Sequence, residues 1–372
     1  MKHSDIEVCF ALARAGLWDK EVWLSAYKDI DYAAVYTLAE EQSVIGLVTA
    51  GLEHVANVKV PQQELLTFIG ATLQLEQQNK AMNEFLGKLI TKLRGVGVYS
   101  LLLKGQGIAQ CYEKPLWRAC GDVDLFLSED NYEKAAKFLK PLASAVDTEY
   151  QYSKHLGMTI DGWVVELHGS LHCGLSSKTD RVLDEIRNDT FYSGKVRSWE
   201  NGRTQIFLLG IENDVLFVFS HFLKHFYKEG LGLRQICDWT RLLWTYRETL
   251  NIGYMEKRIK QMGLLSEWLG FGAYAVEYLG MPKEAMPLYS PSKKWVRKAR
   301  RINEFILNVG NMGHNRDMSY FGKYPFFIRK CFSMWRRICD LFHHARIFPM
   351  DSLRFSFTIM KNGLESAVRG EG

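Results

Sequence analysis

Apolar residues after Pro61 recur every three or four positions: Leu65, Phe68, Ile69, Leu73, Leu75, Met82, Phe85, Leu86 and Leu89. That spacing predicts one long helix from Pro61 to about Arg94, with these residues on its core face. The chain before it also reads as helical. Ser4-Asp5-Ile6-Glu7 has the form of a helix cap before an apolar-periodic run. Residues 1–94 are therefore expected to form an N-terminal helical region.

The period changes near residue 97. Tyr99-Ser100-Leu101-Leu102-Leu103 is apolar enough for a buried strand. Gly121-Asp122-Val123-Asp124-Leu125-Phe126-Leu127 and Gly162-Trp163-Val164-Val165-Glu166-Leu167-His168 alternate, as strands do. Asp130 to Leu139 reads as a helix between strands. Residues 95–210 thus predict an α/β core with a mixed sheet. Helical spacing returns at about 211, where Asn213-Asp214 is placed to cap a helix through Val215, Phe217, Val218, Phe219, His221, Phe222, His225 and Phe226. The expected class is α+β: a small mixed-sheet core, flanked by helical regions at 1–94 and 211–372.

Candidate chemistry sits on the predicted strands. Side chains alternate across a strand, so Asp122 and Asp124 share one face. Two carboxylates side by side repel, and a cation removes that penalty. Paired carboxylates suit Mg²⁺ or Mn²⁺. On the second strand Val164, Glu166 and His168 share a face, while Val165 and Leu167 share the other. If the strands are neighbours, Glu166 becomes a third metal-facing carboxylate. Such a trio can hold two divalent ions about 3.5–4 Å apart, the arrangement that clamps both oxygens of a phosphoryl or nucleotidyl transfer. His168 then lies within reach of substrate or metal.

The first strand runs into Lys104-Gly105-Gln106-Gly107, and Ile108-Ala109-Gln110-Cys111-Tyr112 reads as the start of a helix. A strand, a glycine turn and a helix start make an anion site, to which Lys104 adds a point charge. Arg118, after Pro115-Leu116-Trp117, is placed to ion-pair with Asp122 or to contact a phosphate.

Leu103-Lys104-Gly105, Tyr112, Arg118, Gly121-Asp122-Val123-Asp124-Leu125 and Val165-Glu166-Leu167-His168, in that order, resemble an uncharacterised bacterial nucleotidyltransferase family. It is similar to the wider superfamily that includes DNA polymerase β. The matching core spans roughly 95–170, and a fainter resemblance continues through His221, His225, Arg234 and Asp238. The resemblance implies a nucleoside triphosphate bound with two metal ions on Asp122, Asp124 and Glu166. It also implies that Glu166 helps activate an acceptor hydroxyl, and that Lys104, Gly105, Arg118, His168 and His225 contact the nucleotide. The superfamily's usual turn is Gly-Ser; this chain has Lys104-Gly105, which the narrower family implies, with no serine hydroxyl after the glycine.

Each motif also has a plain reading. Paired aspartates cap turns or bind surface cations, and Glu166 alone reads as a solvated strand residue. The D-x-D pattern also serves metal-dependent glycosyltransferases, but those place a larger parallel sheet before it, and here a helical segment precedes it. A nucleotide-binding or regulatory protein without turnover is the other alternative. His221 and His225 sit four apart, as a zinc pair or as core histidines; without the Glu of an H-E-x-x-H site, core is the expectation. Arg234 and Asp238, also four apart, are expected to pair.

Composition narrows the class. Hydrophobic residues make up 47% of the 372 positions, enough for a large core and against disorder. A net charge of +5, from 47 basic and 42 acidic residues, does not by itself mark a nucleic-acid binder. Seven cysteines without a C-x-x-C pair favour reduced thiols, and the N-terminus lacks a signal-peptide pattern, so a cytoplasmic location is expected. The basic tail has two clusters: Lys293, Lys294, Arg297, Lys298, Arg300 and Arg301, then Lys323, Arg329, Lys330, Arg336, Arg337 and Arg346. The second is interleaved with Tyr324, Phe326, Phe327, Phe332, Trp335, Phe342 and Phe348. Solvated faces over an aromatic core are the default; RNA contact or attachment to an anionic membrane surface are the functional alternatives. The acceptor is open: protein side chain, tRNA end, antibiotic or saccharide.

Overall fold

The computed structural model describes residues 2–149, 154–311 and 326–368. Helices α1 (His3–Trp18), α2 (Tyr32–Glu41), α3 (Ile45–Leu52) and α4 (Gln62–Gly95) come first. Strand β1 (Leu101–Leu103), the short helix α5 (Gly105–Ala109), β2 (Asp122–Phe126) and α6 (Glu129–Leu139) follow. Next come β3 (Ala145–Val146), β4 (His155–Ile160), β5 (Trp163–His168), α7 (Ser177–Tyr192), β6 (Val196–Asn201) and β7 (Thr204–Leu209). The described residues after β7 form helices α8 (Ile211–Lys228), α9 (Leu233–Tyr246), α10 (Ile252–Met262), α11 (Leu265–Glu277), α12 (Lys293–Val309), α13 (Phe326–Ile347) and α14 (Pro349–Val368). The α+β class expected from the sequence is the class observed.

The strands form one seven-stranded sheet in the order β3-β4-β5-β2-β1-β7-β6. It is mixed: β2 runs parallel to β5 and antiparallel to β1, which pairs in parallel with β7. One face rests on α4 and α6, where Met82, Phe85, Leu86, Leu89, Tyr132 and Leu139 meet Val123, Leu125, Val165 and Leu167. The other face is partly covered by α7, α8 and α9, whose apolar side chains join those of α1, α2 and α3 in a larger core.

The long helix begins where Pro61 predicts, but its apolar stripe is only partly covered. Phe68, Met82, Phe85, Leu86 and Leu89 are buried, whereas Ile69 and Leu73 are exposed. Buried positions run from Phe68 and Thr72 to Leu93, so Ile69 and Leu73 are exposed because they lie beside the covered face, not beyond it. Two expected caps are also displaced. Ser4 lies inside α1, which starts at His3 after Lys2 without a side-chain cap. Helix α8 starts after Gly210, and Asp214 is buried against Arg197 instead of capping. Where caps do form, they use Asp31, Ser176 and Asn251, each accepting from a backbone N–H in the first turn.

The tail departs from the default reading. Phe332, Trp335 and Phe342 are exposed, while Phe348 is buried. Lys298 donates to the Ile347 carbonyl and lies over the Phe348 ring, so it is not a solvated face residue. Lys323 and Tyr324, and the side chains of Phe326, Phe327, Arg329, Lys330 and Arg337, lie outside the described residues. Among those described, no helix is long and apolar enough to cross a membrane. Cys9, Cys111, Cys120, Cys173 and Cys237 are buried free thiols.

Glu267 on α11 is fully buried, with the Tyr227 hydroxyl donating to its Oε1 at 2.9 Å. Burial, reinforced by Asp351, pushes its carboxyl up to about 8. The folded state therefore holds a proton there that the unfolded chain releases above its ordinary carboxyl pKa. Stability from this group is undiminished below that ordinary value and falls as the pH rises towards about 8. Glu267→Gln should melt higher than the parent at pH 8 to 9 and equally at pH 4, with about 1 °C for each kcal/mol recovered in a chain of this length. A gain independent of pH in thermal melts would show that the buried charge is not its source.

Candidate active site

The site lies on the sheet face under α8 and α9. Val123 and Leu125 point into the core beneath the sheet, which leaves Asp122 and Asp124 on the opposite face. Strand β5 lies beside β2 in parallel, with Asp122 opposite Val164 and Asp124 opposite Glu166. One carboxylate oxygen from each of Asp122, Asp124 and Glu166 lies within 4.8 Å of the others. Burial, then the charge on Asp124, pushes the Asp122 carboxyl up. The acidic centre therefore repels itself, as a cation-binding set does.

Cationic groups surround it. Lys104 Nζ lies 3.1 Å from Asp124 Oδ1 and 3.3 Å from His221 Nε2. Burial opposes its charge, but Asp124, Asp122 and Glu166 outweigh burial and raise its pKa. His168 Nε2 is 2.7 Å from Asp124 Oδ1 and 3.4 Å from Glu166 Oε2. Burial also opposes the Asp124 carboxylate, yet Lys104 and His168 hold its pKa below the usual range. Burial works the same way on Glu166, and hydrogen bonds from His155 and His168 hold it lower still.

The turn before the site differs from its expected form. Lys104 and Gly105 both have positive φ, 50° and 46°, and α5 begins at Gly105 rather than after Gly107. The amides of Gly107 and Ile108 both donate to the Lys104 carbonyl, so they are not open to an anion. Gly107 packs inside the short helix, where a Cβ would stand 2.6 Å from a Leu208 methyl.

Arg118 does not pair with Asp122. It is buried, with Nε 3.0 Å and Nη2 2.6 Å from the two oxygens of Asp238 on α9. The Tyr112 hydroxyl donates to the same carboxylate at 2.7 Å. Arg234 does not take Asp238 either: its Nη1 donates to the Ala119 carbonyl at 2.9 Å. On α8, His221 and His225 are stacked edge to face, with Nε2 atoms 3.0 Å apart, and His225 Nδ1 is 2.6 Å from Glu229 Oε2. Burial, then the charge on Lys104, holds His221 well below its ordinary pKa.

Together these residues line a cavity of about 590 Å³. The structure brings Lys104, Gly105, Arg118, Asp122, Asp124, Glu166, His168, His221, His225, Arg234 and Asp238 to it, whereas Tyr112 and Gly107 do not line it. Pattern reading missed His155, His172, Lys224, Lys228 and Glu229 in the same lining. For His155 a signal existed. Asp161-Gly162 is a two-residue hairpin turn with φ of 50° and 81°, and it sets His155 directly opposite His168.

An acidic centre faced by lysines, arginine and histidines across one cavity, on an α+β frame, suits an enzyme that handles phosphate-bearing substrates. A family model described as an uncharacterised nucleotidyltransferase matches residues 28–280, well over half of the chain, and the chain belongs to that family. The matched stretch contains all the cavity residues named above. No curated protein and no solved structure matches the chain.

Proposed function

We propose that this cavity transfers a nucleoside monophosphate from a nucleoside triphosphate to an acceptor hydroxyl, with the architecture of the DNA polymerase β superfamily. The observation that carries the reading is the convergence of the Asp122, Asp124 and Glu166 oxygens beneath a basic wall. Three self-repelling oxygen donors fit Mg²⁺ or Mn²⁺, and these residues would hold it. A divalent ion bound there supplies the positive charge that draws phosphate oxygens to a site otherwise hostile to them.

The chain's own residues do the rest. Lys104 already neutralises Asp124 and is placed to share its ammonium with a phosphate oxygen. Lys224, Lys228 and Arg234 line the same cavity as the carboxylates. Burial opposes the charge on Glu166, but hydrogen bonds from His155 and His168 hold its pKa down, and its carboxylate stands with those of Asp122 and Asp124 as a ligand. Arg118 holds α9 to the core through Asp238. Positioning and charge carry the catalysis. In this reading residues 95–210 form the catalytic core between helical regions at 1–94 and 211–372.

The test is incubation of the protein with each α-labelled nucleoside triphosphate, Mg²⁺ or Mn²⁺, and a cell extract. Label should appear on a product with at least one triphosphate, and the product identifies the acceptor class. Nucleotide binding without label on any product would favour a silent binding protein.

A further inference from the structure

Two donor sets meet at Glu166. One is all oxygen: Asp122, Asp124 and Glu166. The other is mixed: an imidazole nitrogen from each of His155 and His168, and Glu166, again within 4.8 Å of one another. The hairpin turn at Asp161-Gly162 builds this second set by placing His155 on β4 against His168 on β5, with Glu166 two residues before His168 on the same face. Both Nε2 atoms face one oxygen, His155 at 3.0 Å and His168 at 3.4 Å from Glu166 Oε2, while His168 Nε2 also lies 2.7 Å from Asp124 Oδ1. The ring centroids are 4.7 Å apart with planes at 46°, so the two nitrogens approach from different directions. The side chains are 15 to 26% exposed and line the cavity, so an ion reaches them from solvent and keeps open positions for water or substrate.

The donor chemistry of the two sets differs. Mg²⁺ prefers oxygen and keeps much of its water, whereas imidazole suits borderline transition metals. Two imidazoles and one carboxylate are an ordinary ligand set for such ions. We infer that the β4–β5 end of the cleft is a separate transition-metal site, with His155, Glu166 and His168 as ligands for a dication of the Zn²⁺ or Co²⁺ class. It shares Glu166 with the carboxylate set, and it rests on the proposed nucleotidyl transfer only through that shared residue. The competing account is that the imidazoles only neutralise Glu166 and Asp124. That account predicts no metal preference.

The experiment uses the full chain, freed of metal by a chelator and titrated with Co²⁺ in millimolar Mg²⁺. The visible absorption bands of cobalt report nitrogen ligation without any enzymatic turnover. The parent protein should develop saturable bands, and Zn²⁺ should abolish them. His155→Ala and His168→Ala should each weaken Co²⁺ binding by roughly 100-fold, at the upper end of what disturbing even a supporting group around a metal does. Circular dichroism confirms that each variant is folded, and His155→Asn serves if His155→Ala is not. Asp122→Asn should leave the bands in place, since Asp122 belongs only to the oxygen set. Absence of bands in the parent, their displacement by Mg²⁺, or their persistence in both histidine variants would overturn the inference. Failure of the transfer reading looks different: Asp122→Asn would keep its transfer activity while the cobalt bands stayed intact.

Discussion

Asp122→Asn should lower nucleotidyl transfer by on the order of 10³-fold or more, while the protein stays folded. Asp122 is half-buried at the start of β2, and its carboxyl is pushed up by burial and by Asp124. Removing its charge takes one donor from the oxygen set and relieves repulsion in the metal-free state. The metal-free melting temperature should therefore stay level or rise. Asp124→Asn is a different substitution, although pattern alone makes the two look equivalent. Asp124 is 1% exposed and engages both Lys104 and His168, so its loss takes the nearest carboxylate from two partly buried groups, of which His168 keeps Glu166. It should abolish transfer and also lower the melting temperature. Melting and label-transfer assays on both variants separate these effects. Near-parental activity in Asp122→Asn would remove the aspartates from the reaction.

Arg118→Ala should cost about 3–5 kcal/mol of unfolding free energy, the largest stability loss expected of a single change near the cavity. The guanidinium and Asp238 are 4% and 6% exposed and share two hydrogen bonds, and Tyr112 donates to the same carboxylate. Truncating the arginine leaves a buried carboxylate paired only with a phenol. Arg118→Lys should rescue little, because an ammonium cannot reproduce the two-point fork. Arg118→Met combined with Asp238→Leu should be far milder than either single truncation, since it removes both charges. Urea unfolding of the three variants decides the matter. A parental midpoint in Arg118→Ala, together with weakened nucleotide binding, would make Arg118 a phosphate contact instead.

The centre of the site was legible because strand periodicity is local. Alternation alone places Asp122 with Asp124, and Glu166 with His168, and it assigns Val165 and Leu167 to the core. The long helix was legible from Pro61 and its apolar spacing. What pattern missed was set by contacts distant in sequence. Arg118 has acidic neighbours at Asp122 and Asp124, yet packing delivers Asp238, 120 residues away. Arg234 and Asp238 have helix-pair spacing, but each is claimed by the core beneath α9. His155 carries no motif of its own, and only the hairpin turn at Asp161-Gly162 aims it at the site. Composition alone places the C-terminal aromatics inward, whereas Phe332, Trp335 and Phe342 face outward.

The positive φ at Lys104 separates two quantities that a single residue usually confounds. Its side chain carries a charge; its peptide torsion carries a conformational cost that glycine does not bear and alanine does. Lys104→Gly and Lys104→Ala remove the same ammonium, so the difference in their stabilities is a torsion measurement with the electrostatics cancelled. The unfolded chain's greater freedom at glycine enters with the opposite sign and is known from model peptides. Position 104 thus works as an internal gauge of how much distortion the fold tolerates to hold one amine over its acidic centre.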